Sequence, residues 1–358
     1  MDKLLDAHSA FWHRKGLAKP LLNVGAEGRT HARRAIPSGV RTLEPLILPL
    51  KDTIVTPGMT LRPWMLEPEK IHPLPEDTHE HLDVPKTYGD VFQVLAPYYK
   101  IPWVEAISGC PLVVKGDSIW PKPYVDRTGL GKEKVTVARS QEWIDKLVDF
   151  TTFLVRNVFP EYLVTQPLMR GPGDLLSAIM GVENMCIGMY MFPDTTRDLL
   201  SKLTDVLIEA ASTQLKAIPE FNGGYCNPFG VWAPGASVRT QDDASVQLSP
   251  RHYEEFILPC EKRIVECFDY TVRHVHSGCI RIVDMLLGVA NLGGIEVTVD
   301  EFPYPRDWDA LIPVLQKIQT RKPLIVSGAF TQEEFDRVVG ALSPNGLLLD
   351  AWIQARLN

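Results

Sequence analysis

The sequence predicts an α/β fold, a (β/α)8 barrel, from three observations. Between residues 140 and 352, strand-like and helix-like segments alternate. The strand-like segments are short and apolar without polar alternation, as in strands buried on both faces of a parallel sheet. With one strand near residue 20 and another between residues 90 and 115, they come to about eight, the number that closes a barrel. An open doubly wound sheet is the alternative. It is disfavoured because neither GxGxxG nor GxxxxGK[ST] follows a strand.

The elements follow in order. PLLNVGA, from Pro20, reads as a buried strand. The rest of residues 1–130 is studded with proline, which blocks helix interiors and central strands. This region reads as an irregular extension holding the first strands. SQEWIDKLVDFTTFLVRNVF is a helix, with Trp143, Leu147, Phe150, Phe153 and Leu154 on one face. YLVTQPL is a short strand. The helix opening at Pro193-Asp194 carries Leu199, Leu200, Leu203, Val206 and Leu207 on one stripe. FGVWAP is a strand, and TQDDASVQLSP is a loop over the barrel mouth. SPRHYEEFILPCEKRIVECF is a helix capped by Ser249 with Pro250 at its first position. YTVRHVHSG is a strand, CIRIVDMLLGVANLG a helix, GIEVTVD a strand. DWDALIPVLQKIQTR is a helix capped by Asp307, and KPLIVSGAF is a strand. TQEEFDRVVGAL has a capping box at Thr331 and Glu334, and GLLLDAW is the last strand. All 358 residues therefore read as one barrel domain, with regular βα repeats over 140–352 and an irregular first part over 1–130.

Composition bounds the function. Hydrophobic residues make up 45% and charged residues 23%, which excludes a disordered or disulfide-stapled chain. The net charge of −7 offers no basic footprint for nucleic acid. No run of eighteen apolar residues suggests a membrane span, and the N-terminus does not read as a secretory signal. The six cysteines form no CxxC pair and read as free thiols of a cytoplasmic enzyme.

A barrel keeps its chemistry at the C-terminal strand ends, and that rule picks the candidates. His274 and His276 are two apart on one strand and point to one side. Two imidazoles and a carboxylate suit a divalent transition metal such as zinc. The metal candidates are His276, His274 and Asp242; Asp243 beside it and Glu296 join His276 as catalytic candidates. Roles cannot be apportioned between the adjacent Asp242 and Asp243 by spacing. Cys279 follows and opens a helix, where a thiol pKa falls. Arg170, in MRGPGDLL, suits a substrate carboxylate, or else pairs with Asp174. Trp232, Gln166, Arg29 and Asp350 also stand at strand ends and are read as substrate-binding. IHPLPEDTHEHLD holds three histidines among acids and is read as a surface loop.

The stretch WAPGASVRTQDDASVQLSPRHYEEFILPCEKRI, followed by HVHSG, resembles the uroporphyrinogen decarboxylase superfamily. RGPGDLLSAIMGVENMCIGMYMFPDTTRDLLSKL, FWHRKGLAKPLLNVG and WVEAISGCP extend the resemblance. The resemblance implies a (β/α)8 barrel, and either decarboxylation or methyl transfer with a corrinoid. It also has departures. The decarboxylase's arginine-rich RPVWxMRQAGRY is replaced by KPLLNVGAEGRTHARR. The thiol methyltransferases' HxCG is not kept: His276 matches the His, Gly278 stands at the Cys, and the last strand offers Asp350 in place of a second Cys. The chain is therefore similar to a divergent corrinoid methyltransferase-like branch. This implies a small-molecule substrate, cobalamin as donor or acceptor, a corrinoid protein as partner and, by analogy, a homodimer. A cofactor-free decarboxylase of a small or pyrrolic acid and a catalytically inactive binding homologue are the alternatives.

Overall fold

A computed structural model describes residues 1–26, 56–71, 87–116, 118–126, 135–300 and 306–354. Arg29 and the histidines of the 71–83 stretch lie outside the described residues. The chain is an α/β protein around a parallel sheet. The strands that position the site are β1 (Leu21–Ala26), β2 (Val94–Leu95), β3 (Leu163–Val164), β4 (Met169–Arg170), β5 (Ser237–Gln241), β6 (Tyr270–His276), β7 (Gly294–Val299), β8 (Leu324–Phe330) and β9 (Leu347–Ile353). Seven of them form one sheet in the order β1-β9-β8-β7-β6-β5-β4, with every neighbour parallel. β2 and β3 make a separate parallel pair. Only four residues separate β3 from β4. At the other side, the Asp90 amide donates to the Leu22 carbonyl at 2.8 Å, and the Leu22 amide donates to Asp90 Oδ2 at 3.1 Å.

Helices cross over between the strands. The main ones are α1 (Asp2–His13), α2 (Gln141–Val158), α3 (Pro172–Met180), α4 (Pro193–Lys216), α5 (Leu258–Cys267), α6 (Trp308–Gln319) and α7 (Gln332–Ala341). Their ends follow local chemistry. Ser140, Asp307 and Thr331 accept from the backbone of their first turns, and Thr331 with Glu334 closes the expected capping box.

The period of two along each strand divides the molecule. Ile295, Val297, Val299, Leu324, Val326, Leu347 and Leu349 are buried in the large core that also holds the helix faces. The opposite face changes character along its length. At the N-terminal end it presents Leu21, Val272, Ile325 and Leu348, sealed by Phe11 and Trp12 of α1. Two residues on, the same face presents Asn23, His274, Ser327 and Asp350, all buried and all polar. This face of the sheet is thus plugged with hydrocarbon at one end and lined with polar groups at the other.

Two sequence expectations are corrected here. FGVWAP is not a strand of the sheet. Trp232–Ala233 instead forms an antiparallel bridge with Tyr225–Cys226. The sheet strand is Ser237–Gln241, whose inward Arg239 and Gln241 give it the polarity of a loop. CIRIVDMLLGVANLG is not one helix. A 3-10 turn over Ser277–Ile282 leads into the short helix Val283–Leu287, with Cys279 in a non-helical conformation. Cys279 therefore has no helix N-terminus to activate it, and burial pushes its thiol pKa up.

Candidate functional site

The site lies at the C-terminal ends of β5, β6 and β7. His274 and His276 project from one side of β6, their rings edge to face at 4.6 Å between centroids. Asp243 stands two residues beyond β5 and faces both. His274 Nε2 lies 3.6 Å from Asp243 Oδ1, and His276 Nε2 lies 3.4 Å from the same atom. One ligand atom from each of these three residues falls within 4.8 Å of the others.

The other nitrogen of each ring has its own carboxylate. His274 Nδ1 lies 2.7 Å from Glu296 Oε2, and His276 Nδ1 lies 2.6 Å from Asp300 Oδ1. A carboxylate only accepts, so each Nδ1 is the protonated nitrogen and donates. Both Nε2 atoms are left to face Asp243. Glu296 is fully buried at the end of four donors. Thr298 and Ser327 reach its Oε1 at 2.7 and 2.5 Å, while Arg239 and His274 reach its Oε2 at 2.9 and 2.7 Å. Asp300 also accepts from the Ser277 hydroxyl at 2.9 Å.

Charge follows this arrangement. Hydrogen bonding to Asp243 and Asp300 raises His276 to about 10, against the effect of burial. Burial would raise Asp243, but the His276 hydrogen bond and nearby positive charge override it and hold the carboxyl down at about 2. Burial lowers the His274 pKa, although Glu296 pulls the other way, so this ring is held neutral.

Asp242 does not join the cluster. Its Oδ1 accepts from the Asp174 amide at 2.8 Å, at the start of α3, and its Oδ2 lies 3.3 Å from Arg273. Gly171 and Gly173 permit this approach, since a Cβ at either would sit under 3 Å from the Asp242 carboxylate. Asp242 is thus committed to the core and Asp243 to the site, which corrects the metal assignment made to Asp242. Burial pushes the Asp242 carboxyl well up against the pull of Arg273.

The remaining expected residues are scattered. Arg170 is half-exposed and pairs with buried Glu105 at 3.1 Å, not with Asp174. Burial pushes Glu105 up, and Arg170 pulls it back. Gln166 Oε1 accepts from the Arg239 amide at 3.3 Å, and its Nε2 has no hydrogen-bond partner among the described residues. Asp350 accepts from Asn23 Nδ2 at 2.8 Å, three strands away from His276 along the register row Asn23, Asp350, Ser327, Thr298, His276. Trp232 is not at the site. It precedes β5, its carbonyl accepts from Trp12 and its indole donates to Phe221, all at the sealed end. Arg239 and Gln241 were missed because Gln241 lies in a segment read as loop and Arg239 just before it. Their spacing of two, in step with His274 and His276 on the next strand, is the signal that could have found them.

Fold and site together define an α/β protein with a polar His-His-Asp constellation at parallel strand ends. No family model matches the chain, and no curated protein matches it in sequence. Among solved structures it is similar to a methyltransferase from Methanosarcina mazei, at 14% identity over 73% of this chain and 74% of that one, with a TM-score of 0.53. It is also matched with an endo-beta-1,4-mannanase from Cellulomonas fimi, at 11% identity over 70% of this chain and 59% of that one, with a TM-score of 0.35. The first likeness is one of fold; the second is too loose to bear on this chain. Among the described residues, no helix is long and apolar enough to cross a membrane.

Proposed function

We propose that this chain is a metal-dependent methyltransferase of the corrinoid-linked kind, acting at the mouth of a closed (β/α)8 barrel. One observation carries the reading: two imidazoles, each backed at Nδ1 by a carboxylate, turn Nε2 toward one oxygen of Asp243 at 3.6 and 3.4 Å. Ligands about 2.1 Å from a tetrahedral zinc ion stand about 3.4 Å apart. Both spacings to Asp243 are close to that, which supports a shared ion, and a carboxylate behind each histidine is the usual support of such a ligand.

His274, His276 and Asp243 would hold the ion and leave one position open, the pattern of catalytic zinc sites. When bound, zinc supplies Lewis acidity that readies a coordinated acceptor as a nucleophile at neutral pH. Glu296 and Asp300 each accept from the Nδ1–H of their ring, which turns both Nε2 atoms toward Asp243. Arg170, anchored by Glu105, turns its exposed edge to an anionic group of the substrate. The methyl donor would be a methylated corrinoid carried to the mouth by a partner protein. Barrel closure is supported by the Asp90–Leu22 bonds, the β2–β3 pair and the short step from β3 to β4. The resemblance of the sequence to corrinoid-linked methyltransferases and the likeness of fold to a methyltransferase point the same way. Cofactor-free decarboxylation finds less support, since Arg239 and Arg273 are themselves buried and each already faces a buried carboxylate.

The test has two parts. Calorimetric titration with zinc is expected to give one site, weakened at least about tenfold by Asp243→Asn. Methylcobalamin incubated with zinc-loaded protein and a panel of thiol and folate acceptors is expected to lose its methyl group, read in the visible spectrum. No zinc site and no demethylation would refute the reading.

A further inference from the structure

Five side chains form a ring around the candidate site, joined by hydrogen bonds at four of its five links. Asp243 Oδ2 accepts from Gln241 Nε2 at 2.6 Å. Gln241 Oε1 accepts from Arg239 Nη1 at 2.5 Å. Arg239 Nη2 and Nε donate to Glu296 Oε2 at 2.9 and 3.3 Å. His274 Nδ1 donates to that same oxygen at 2.7 Å, and the fifth link is a contact, with His274 Nε2 3.6 Å from Asp243 Oδ1. The ring spans three adjacent strands: Arg239, Gln241 and Asp243 are spaced by two along β5 and just beyond it, and His274 is the register partner of both Gln241 and Glu296.

Arg239 is the one member of the ring that reaches both arms. Its guanidinium is planar and presents donors in a fixed fork, so fixing it on Glu296 also fixes the direction of Nη1 toward Gln241. Gln241 then has a single orientation. Its carbonyl is taken by Arg239, so its amide must point at Asp243. Glu296, filled by its donors, must accept from His274 Nδ1, which leaves Nε2 bare. We infer that Arg239 is the positioning residue of the site, setting the His274 tautomer through Glu296 and the Asp243 carboxylate through Gln241. Its consequence for metal affinity rests on the zinc reading above; its effect on the two side chains does not.

Lysine would separate the two arms. A point charge can face Glu296 but cannot also present a second rigid donor to Gln241. Three variants, Arg239→Met, Arg239→Lys and Gln241→Leu, are therefore compared by two readouts, with circular dichroism as the check on folding. The first readout is the imidazole ¹⁵N spectrum of metal-free protein, which separates the Nδ1–H tautomer from the Nε2–H tautomer. The second is titration with zinc alone. Arg239→Met is expected to lose the Nδ1–H signature of His274 and to bind zinc about 10–100-fold more weakly. Arg239→Lys is expected to keep the His274 signature yet bind zinc as weakly as Gln241→Leu. Gln241→Leu keeps the Arg239–Glu296 pair, so it reads the second arm even where Arg239→Met does not fold, and it is expected to shift the His276 ring signals, whose Nε2 faces Asp243. Unchanged ring signals in Arg239→Met, or in Gln241→Leu should Arg239→Met not fold, overturn the positioning role. If wild type binds no zinc while its ring signals respond to the variants, the positioning role stands and the zinc reading falls.

Discussion

Asp242 and Asp243 are neighbours with opposite fates. Asp242 is held by the start of α3 and by Arg273, whose Nε also lies 3.2 Å from Glu261. All three charged groups are buried, so removing the cation leaves carboxylates with no water to receive them. Arg273→Met is expected to cost about 3–5 kcal/mol in urea unfolding. A loss below about 1 kcal/mol would mean that the carboxylates find other partners. Asp243, one residue on, turns to the face of the histidines, because successive side chains of an extended chain point to opposite sides. Nothing in the letters DD distinguishes the two. The pair His274 and His276 was legible because a spacing of two on a strand fixes a shared side whatever the neighbours do. Which acid would meet them was not, since that depends on how closely Gly171 and Gly173 let α3 approach.

Among the elements, α1 is the least expected contributor. His8 on α1 is fully buried. Its Nε2 donates to the Asp90 carbonyl at 2.7 Å, and its Nδ1 accepts from the Trp232 amide at 2.9 Å. It thus ties α1 both to the segment beside β1 and to the chain leading into β5. Burial lowers its pKa to about 4. An unfolded histidine titrates near 6.5. Above pH 6.5 both states are neutral and the contribution is whole. As pH falls toward 4, the unfolded chain takes up a proton that the folded chain refuses, and about 3 kcal/mol is lost. Urea unfolding of wild type and His8→Gln at pH 7 and 4.5 measures this. The variant is expected to show the shallower dependence on pH, and equal slopes would remove His8 from this role. The helices with caps and apolar stripes were legible from residue 140 onward. β5 was hidden because its inward residues are polar, and a rule that looks for apolar runs passes over a strand that lines a site.

For the whole molecule, the proposed closure of the sheet into a barrel has a direct test. A closed barrel unfolds as one unit, so the amides of Asp90, Leu163 and Thr165, which donate to Leu22, Gln93 and Leu95, should exchange hydrogen as slowly as those of β7 and β8. Fast exchange confined to these amides would show the β2–β3 pair opening independently of the seven-stranded sheet. By itself, the sequence determined the parallel α/β class, the run of βα units after residue 140 and the two histidines at a strand end. These follow from periodicity and local capping, which act over a few residues. Tertiary structure alone decided that the first helix plugs one end of one sheet face, that Trp232 belongs to that plug, and that Asp243, Gln241, Arg239 and Glu296 join His274 in one ring. Those partners lie up to 57 residues apart, between Arg239 and Glu296, and meet only because neighbouring strands are held in register by backbone hydrogen bonds. Register converts distance along the chain into adjacency, and no local pattern of residues encodes it.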